Sequence, residues 1–223
     1  MPLGFMQWQL YSKIIKQIPD TVTDIILAWR GEPTLHMDLY GMVMVCPVKP
    51  AIATNGAFLY RIPLDFVKAI NLSIHNKLSL GHLQFLLEKK CKHPPKITAS
   101  RVTGEIPEGL WTKVKAMGRV DEKRTYLVHS EGGVWGAIKQ NGDRFHLKGD
   151  RNGLCPRLKS DLVIAWDGSI SRCCYVWDTI PGLNAKEMTL EEIWLSPQML
   201  KIRAMYPDGI CSKCDQWRAG RTL

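Results

Sequence analysis

Seven cysteines, at positions 46, 91, 155, 173, 174, 211 and 214, are the residues most able to do chemistry in this chain. Their number is odd, and no charged start followed by an apolar core opens the sequence, so a secretory disulfide framework is not expected. Five of the seven fall in the last third, as Cys155, the neighbours Cys173-Cys174, and the CxxC of Cys211-Ser-Lys-Cys214. Thiolates gathered from three such segments could hold Zn²⁺ tetrahedrally or an iron–sulfur cluster. A quartet left without a metal would bring together charges that repel and lose their water. Cys173 and Cys174 would point to opposite faces of a strand, so one of the two should ligate. Cys46 and Cys91 stand alone and read as buried small hydrophobes. The six histidines are dispersed, with no HxxxH or HxH pair, and no Walker loop, GxGxxG or Ser-His-Asp order is present.

The elements that must position these cysteines can be read from apolar spacing. Leu162–Trp166 and Ser169–Tyr175, separated by Asp167-Gly168, form a hairpin candidate between Cys155 and Cys173. Thr189-x-x-Glu192 is a capping box, predicting a helix whose buried face carries Leu190, Ile193, Trp194, Met199 and Ile202 and which ends near Tyr206-Pro207. The CxxC follows. Trp166, Trp177 and Trp194 would supply the small core around the cysteines.

The first 130 residues read differently. Helices are predicted from Gln9 to Ile18 and over Met37–Val45, Pro63–Lys68, Leu78–Lys90 and Pro107–Met117. Strands are predicted at Asp24–Trp29, Ala51–Thr54, Ala69–His75, Lys96–Val102 and Thr125–His129. This alternation argues for an α/β class with a parallel sheet or barrel, whose active face lies at the carboxyl ends of the strands. Arg30-Gly31-Glu32-Pro33 and Thr54-Asn55-Gly56 both fall there. Residues 131–154 read as a glycine-punctuated linker, giving three parts: 1–130, 131–154 and 155–223.

Composition sets outer limits. Hydrophobic residues at 45% and charged residues at 23% describe a folded globular chain. The longest nearly apolar stretch, Leu39–Val48, is about half of the ~20 residues a membrane helix needs. A cytoplasmic location is the default. The net charge of +9 could serve a nucleic acid, an acidic peptide or an anionic cofactor. The basic residues form no stripe and do not interleave with aromatics, so nucleic acid is disfavoured.

Taken together, these segments resemble the radical SAM enzymes with a carboxyl-terminal SPASM or twitch domain. Arg30-Gly31-Glu32-Pro33-Thr34-Leu35-His36 is similar to the GEP motif, which in that family holds the amino group of S-adenosylmethionine. Thr54-Asn55-Gly56 is similar to the TNG motif. Leu72-Ser73-Ile74 resembles the serine-bearing fourth strand, with His75 where the family often has aspartate. From Cys155, twelve residues lead to Gly168 and four more to Cys173, the spacing that opens a SPASM domain. Lys186–Pro197 resembles the helix between its two cysteine groups. The resemblance spans roughly Leu10 to Trp217.

It implies a partial (βα) TIM-like barrel missing its first strand, plus a small cysteine-rich α+β domain. It also implies one auxiliary 4Fe-4S cluster on Cys155, Cys173, Cys211 and Cys214, with zinc as the alternative metal. S-adenosylmethionine would contact Gly31, Glu32, Pro33, Asn55 and Ser73, and relatives of this kind modify peptides or small molecules by radical chemistry. Glu32 reads equally well as an ordinary strand-end acid, and Asn55-Gly56 as a turn pair. The family's CxxxCxxC, which binds the catalytic cluster, is absent from these 223 residues, and Gly220 stands where a fuller SPASM domain has a further cysteine. Catalysis by the chain alone is therefore not expected. Two alternatives are a non-catalytic iron–sulfur electron-transfer or binding module and a zinc-stabilised nucleic-acid-binding protein. A barrel without its first strand exposes the edge of Asp24–Trp29. That edge predicts a homo-oligomer, a partner chain that completes the barrel and its cluster, or a start placed too late.

Overall fold

The computed structural model describes residues 4–102, 106–126, 139–140, 143–144, 155–174, 176 and 178–205. In chain order the elements are α1 (Trp8–Ile15), α2 (Leu39–Met44), β1 (Ala51–Thr54), β2 (Ala69–Ser73), α3 (Lys77–Glu88), β3 (Lys96–Val102), α4 (Glu108–Ala116), β4 (Glu122–Tyr126), β5 (Lys139–Gln140), β6 (Asp143–Arg144), α5 (Pro156–Ser160), β7 (Val163–Ile164), β8 (Ser169–Ser171), β9 (Thr179–Asn184), α6 (Leu190–Trp194) and α7 (Pro197–Ala204). They fall into two compact units, one of residues 18–127 and one of residues 1–17 with 128–223. None of the described helices is long and apolar enough to cross a membrane.

In the unit of residues 18–127, β1 to β4 form one parallel sheet in chain order. Helices α3 and α4 make the crossovers that parallel pairing requires. Ile52, Ile70 and Ile97 stand in register. They join Leu72, Leu83, Leu86, Leu110, Trp111 and Val114 in one core. Asn76 caps α3 by accepting the Ser79 N–H at 3.0 Å. By strand alternation the opposite face carries Ala51, Ala53, Ala69, Asn71, Ser73, Thr98 and Ser100. It is small and polar where the core face is aliphatic.

Two expectations change in this unit. Asp24–Trp29 is not a buried strand: it makes a single bridge, Ile26 to Ala51, and Ile26 is 45% exposed. Only the Leu27 and Ala51 N–H groups bond across, to Ala51 and Ile25 carbonyls, and Pro50, which has no N–H, precedes the bridge. The last strand begins at Glu122, three residues before the expected Thr125. Its charged start hid it, yet it pairs only with β3 among the described strands, and edge positions tolerate charge.

The other unit is built on an antiparallel sheet of β7, β8 and β9. Asp167-Gly168 makes the expected turn; the Asp167 carboxylate accepts the Ser169 N–H at 3.1 Å. Gly168 has φ +85°, and a Cβ there would lie 2.5 Å from Asn184 Oδ1. β9 was not foreseen, because Pro181 and Gly182 break its pattern; it pairs with an irregularity of the kind that accommodates such residues. The Thr189–Glu192 capping box is present in full. The long helix after it is in fact two. Pro197 lacks the N–H needed to continue, and Ser196 caps the new helix by accepting from Met199 N–H at 3.3 Å. Within the expected linker, β5 and β6 pair antiparallel.

Helix α1 belongs to this second core. Leu10 and Ile14 pack with Ile170, Leu183, Ala185, Ile193 and Met199. Lys13 Nζ donates to the Lys186 carbonyl at 2.7 Å, and Gln17 Oε1 accepts the Leu190 N–H at 2.9 Å, satisfying a donor at the start of α6. Of the tryptophans expected in this core, Trp166 and Trp194 are half-buried and not among its buried residues, and Trp177 lies outside the described residues. Truncating Leu10 to Ala should cost about 2–5 kcal/mol. Amide exchange should rise in β8 and α6 and stay unchanged in β1–β3; a rise confined to α1 itself would contradict this packing.

Candidate functional site

Cys155 is the N-cap residue of α5, immediately before Pro156. That helix is short, and its position depends on its side chains. Arg157 pairs with Asp161 at 3.3 Å. Arg203 of α7 donates from Nε to the Leu158 carbonyl at 3.1 Å and from Nη1 to the Trp194 carbonyl at 2.9 Å, with its guanidinium 3.7 Å from the Trp194 ring centroid. One arginine thus ties the helix headed by Cys155 to the end of α6. Nothing in the sequence pattern singled out Arg203.

Cys173 and Cys174 follow β8 in a turn, not in a strand, so strand alternation does not separate their side chains. Burial pushes the Cys174 thiol up to about 11, against the nearby positive charge of Arg157. Arg157 and Asp161 of the α5 segment lie within electrostatic reach of Cys174, as does Cys173. None of the five described cysteines forms a disulfide. Thiols from neighbouring segments, at a helix start and in a turn, suit a thiolate-bound metal or cluster. Cys211 and Cys214 lie outside the described residues. Among the described residues no group of three metal-ligating side chains is assembled. Cys46 and Cys91 are half-buried and not fully interior.

A second cluster of functional candidates lies in the unit of residues 18–127. Glu32 caps the short 3-10 turn Pro33–Leu35, with Pro33 at its first position and exposed Gly31 (φ +91°) just before it. The Glu32 carboxylate is held by its own chain. Oε1 accepts from Thr34 N–H at 3.0 Å, Thr34 Oγ1 at 2.6 Å and Thr54 Oγ1 at 2.5 Å, while Oε2 accepts the Asn55 N–H at 2.6 Å. Thr54 Oγ1 also accepts the Gly56 N–H at 2.9 Å, and Asn55 Oδ1 accepts the Ala57 N–H at 2.9 Å. Gly56 has φ +88°, and a Cβ on it would meet His82 Nδ1 at 2.6 Å. Arg61 Nη1 donates to the Thr34 and Leu35 carbonyls at 3.1 and 3.3 Å.

The segments 31–36 and 54–56 are thus one connected loop pair. Glu32 is its brace, and Thr34, Thr54 and Arg61 are partners that reading the motifs did not assign. Ser73 ends β2, one register position beyond the Thr54–Leu72 pair, at the carboxyl end of the sheet with Ser100 opposite it. Asn71 Oδ1, on the small polar face, is buried with no hydrogen-bond partner among the described residues. Replacing Glu32 by Ala removes four hydrogen bonds to a charged acceptor, and with it the link between the loops. Expected results are a stability loss of about 2–4 kcal/mol and faster amide exchange at Thr34 and Asn55. Unchanged exchange at Asn55 would show that the brace is not needed.

Comparison with known proteins adds a domain match and a likeness of fold. Residues 155–215 match the family profile of SPASM, described as an iron-sulfur cluster-binding domain. No match was found among curated protein sequences. The chain is similar in fold to BtrN, a radical SAM enzyme, in a crystal structure of its open conformation: TM-score 0.51, 17% identity, covering 99% of this chain and 82% of that one. Cys155 at the head of α5 and the Cys173–Cys174 turn fall within that matched stretch, which is similar to the SPASM iron-sulfur cluster-binding domain.

Proposed function

We propose that this chain is an iron–sulfur protein whose SPASM domain carries one auxiliary 4Fe-4S cluster on Cys155, Cys173, Cys211 and Cys214, within an assembly that modifies a peptide or small molecule by S-adenosylmethionine-derived radical chemistry. The match of residues 155–215 to an iron-sulfur cluster-binding domain carries the reading. The position of Cys155 at the head of α5, whose Arg157 lies within electrostatic reach of Cys174, supports it. When bound, such a cluster would supply electron transfer or an anchoring iron. The residues of this chain hold it and tie α5 in place through Arg203.

The loop pair of Gly31, Glu32, Pro33 and Asn55, with Ser73, forms the cofactor side of the proposal. Glu32 acts there through geometry: with its carboxylate engaged by Thr34, Thr54 and Asn55, it shapes the backbone that would meet the methionine amino group. Asn71 Oδ1 offers an open acceptor on the small polar sheet face, which a ligand N–H or O–H would satisfy. The parallel order β1 to β4 supports a partial barrel. With no CxxxCxxC in the sequence, the catalytic cluster comes from outside these residues, and the exposed Ile26 edge is the place for a completing strand.

Anaerobic purification tests the metal. The chain should be brown, with about four irons and four sulfides, and Cys155→Ala or Cys214→Ala should lose most of that iron. Colourless protein containing one zinc and binding nucleic acid would overturn the reading. With S-adenosylmethionine and a strong reductant, the chain alone should release no 5′-deoxyadenosine; release by the chain alone would show that it needs no outside cluster.

A further inference from the structure

The turn that carries Cys173 closes around one buried hydroxyl. Ser171, 1% exposed, is the last residue of β8. Its backbone is fixed on both sides, opposite Val163 of β7 and Thr179 of β9. Its Oγ lies 3.1 Å from the Cys173 carbonyl, 3.0 Å from that of Val176 and 3.0 Å from that of Asp178. A hydroxyl has a single proton to donate. The carbonyls of Cys173, Val176 and Asp178 therefore share one donor, at a point set by the central strand. The Val176 N–H bonds back to the Cys173 carbonyl at 3.2 Å, so the ligand residue's own backbone is gripped twice.

We propose that Ser171 is a positioning residue for the iron–sulfur site: its hydroxyl holds the Cys173 backbone at the place and angle from which the thiolate reaches the metal. This inference rests on the cluster assignment made above. The hydroxyl is the point at which the backbone fixed in β8 is joined to that of Cys173. A ligand held in advance loses less freedom when metal binds. Without the hydroxyl the turn keeps its length and cysteines but loses its common centre, and the cluster becomes easier to strip.

The test uses the full chain, purified anaerobically as wild type, Ser171→Ala, Ser171→Thr and Ile193→Val. The last trims the same core from α6 without touching the turn. Wild type lacking iron would defeat the cluster assignment itself, a result separate from this inference. With iron present in wild type, iron release to a chelator should be roughly three- to tenfold faster in S171A, and the electron paramagnetic resonance spectrum of the reduced cluster should shift. I193V should keep the wild-type rate and spectrum despite a comparable loss of thermal stability. Equal rates and spectra in S171A and wild type, or equal acceleration in S171A and I193V, would overturn the proposal. If S171A does not fold, S171T decides: wild-type spectrum and rate uphold the hydroxyl's role, and a shifted spectrum with rapid release refutes it.

Discussion

The Glu32 carboxylate stands half-buried between two loops and accepts hydrogen bonds from Thr34, Thr54 and Asn55. An anion drawn out of bulk water must be given donors or a cation, or its charge is too costly to keep. The loop pair meets that requirement with backbone N–H groups and hydroxyls, which is why two threonines lie buried beside an acid. The cysteine domain faces the same requirement more severely. Cys155 stands at the start of α5 and Cys173 and Cys174 follow β8, and a set of thiolates brought to one point is compatible with folding when a metal takes up their charge. Burial raises the Cys174 thiol beside them.

Order in the cysteine domain is borrowed from elements outside the cysteine spacing. The turn with Cys173 leans on Ser171, and the helix with Cys155 on Arg203. The core beneath them is completed by α1, nearly the whole chain length away. A domain this small buries limited apolar surface by itself. An added amphipathic helix extends the core, and Lys13 and Gln17 satisfy the carbonyl and N–H groups that the added packing covers. The matched segment 155–215 is therefore less than the folding unit that contains it.

In the unit of residues 18–127, sheet polarity divides the labour. One face is aliphatic and packed against helices, while the other is built from alanine, serine, threonine and asparagine. Small residues leave room and polar ones leave hydrogen-bonding capacity, so that face suits ligand contact better than further packing. The loops braced by Glu32 and Arg61 rise from the carboxyl ends of the same strands, where parallel α/β sheets place their sites.

Some of this was legible in the residues alone. Ala51–Thr54, Lys96–Val102, the Asp167-Gly168 turn and the Thr189–Glu192 box are local signals, and local physics settles them. The cysteine spacing pointed to the iron-sulfur domain that the profile matches for the same reason, since each cysteine group lies within a short run of chain. Other features needed the folded molecule. Whether Asp24–Trp29 is a strand depends on neighbours it does not have, and charged Glu122–Tyr126 is a strand because β3 lies beside it. That Glu32 binds its own threonines, that Ser171 gathers the Cys173 turn and that Leu10 lies in the cysteine domain's core are contacts between residues distant in sequence or set by loop closure. Residue type and spacing determine which groups are available, but partners across a fold are chosen by packing, and packing is a property of the whole chain.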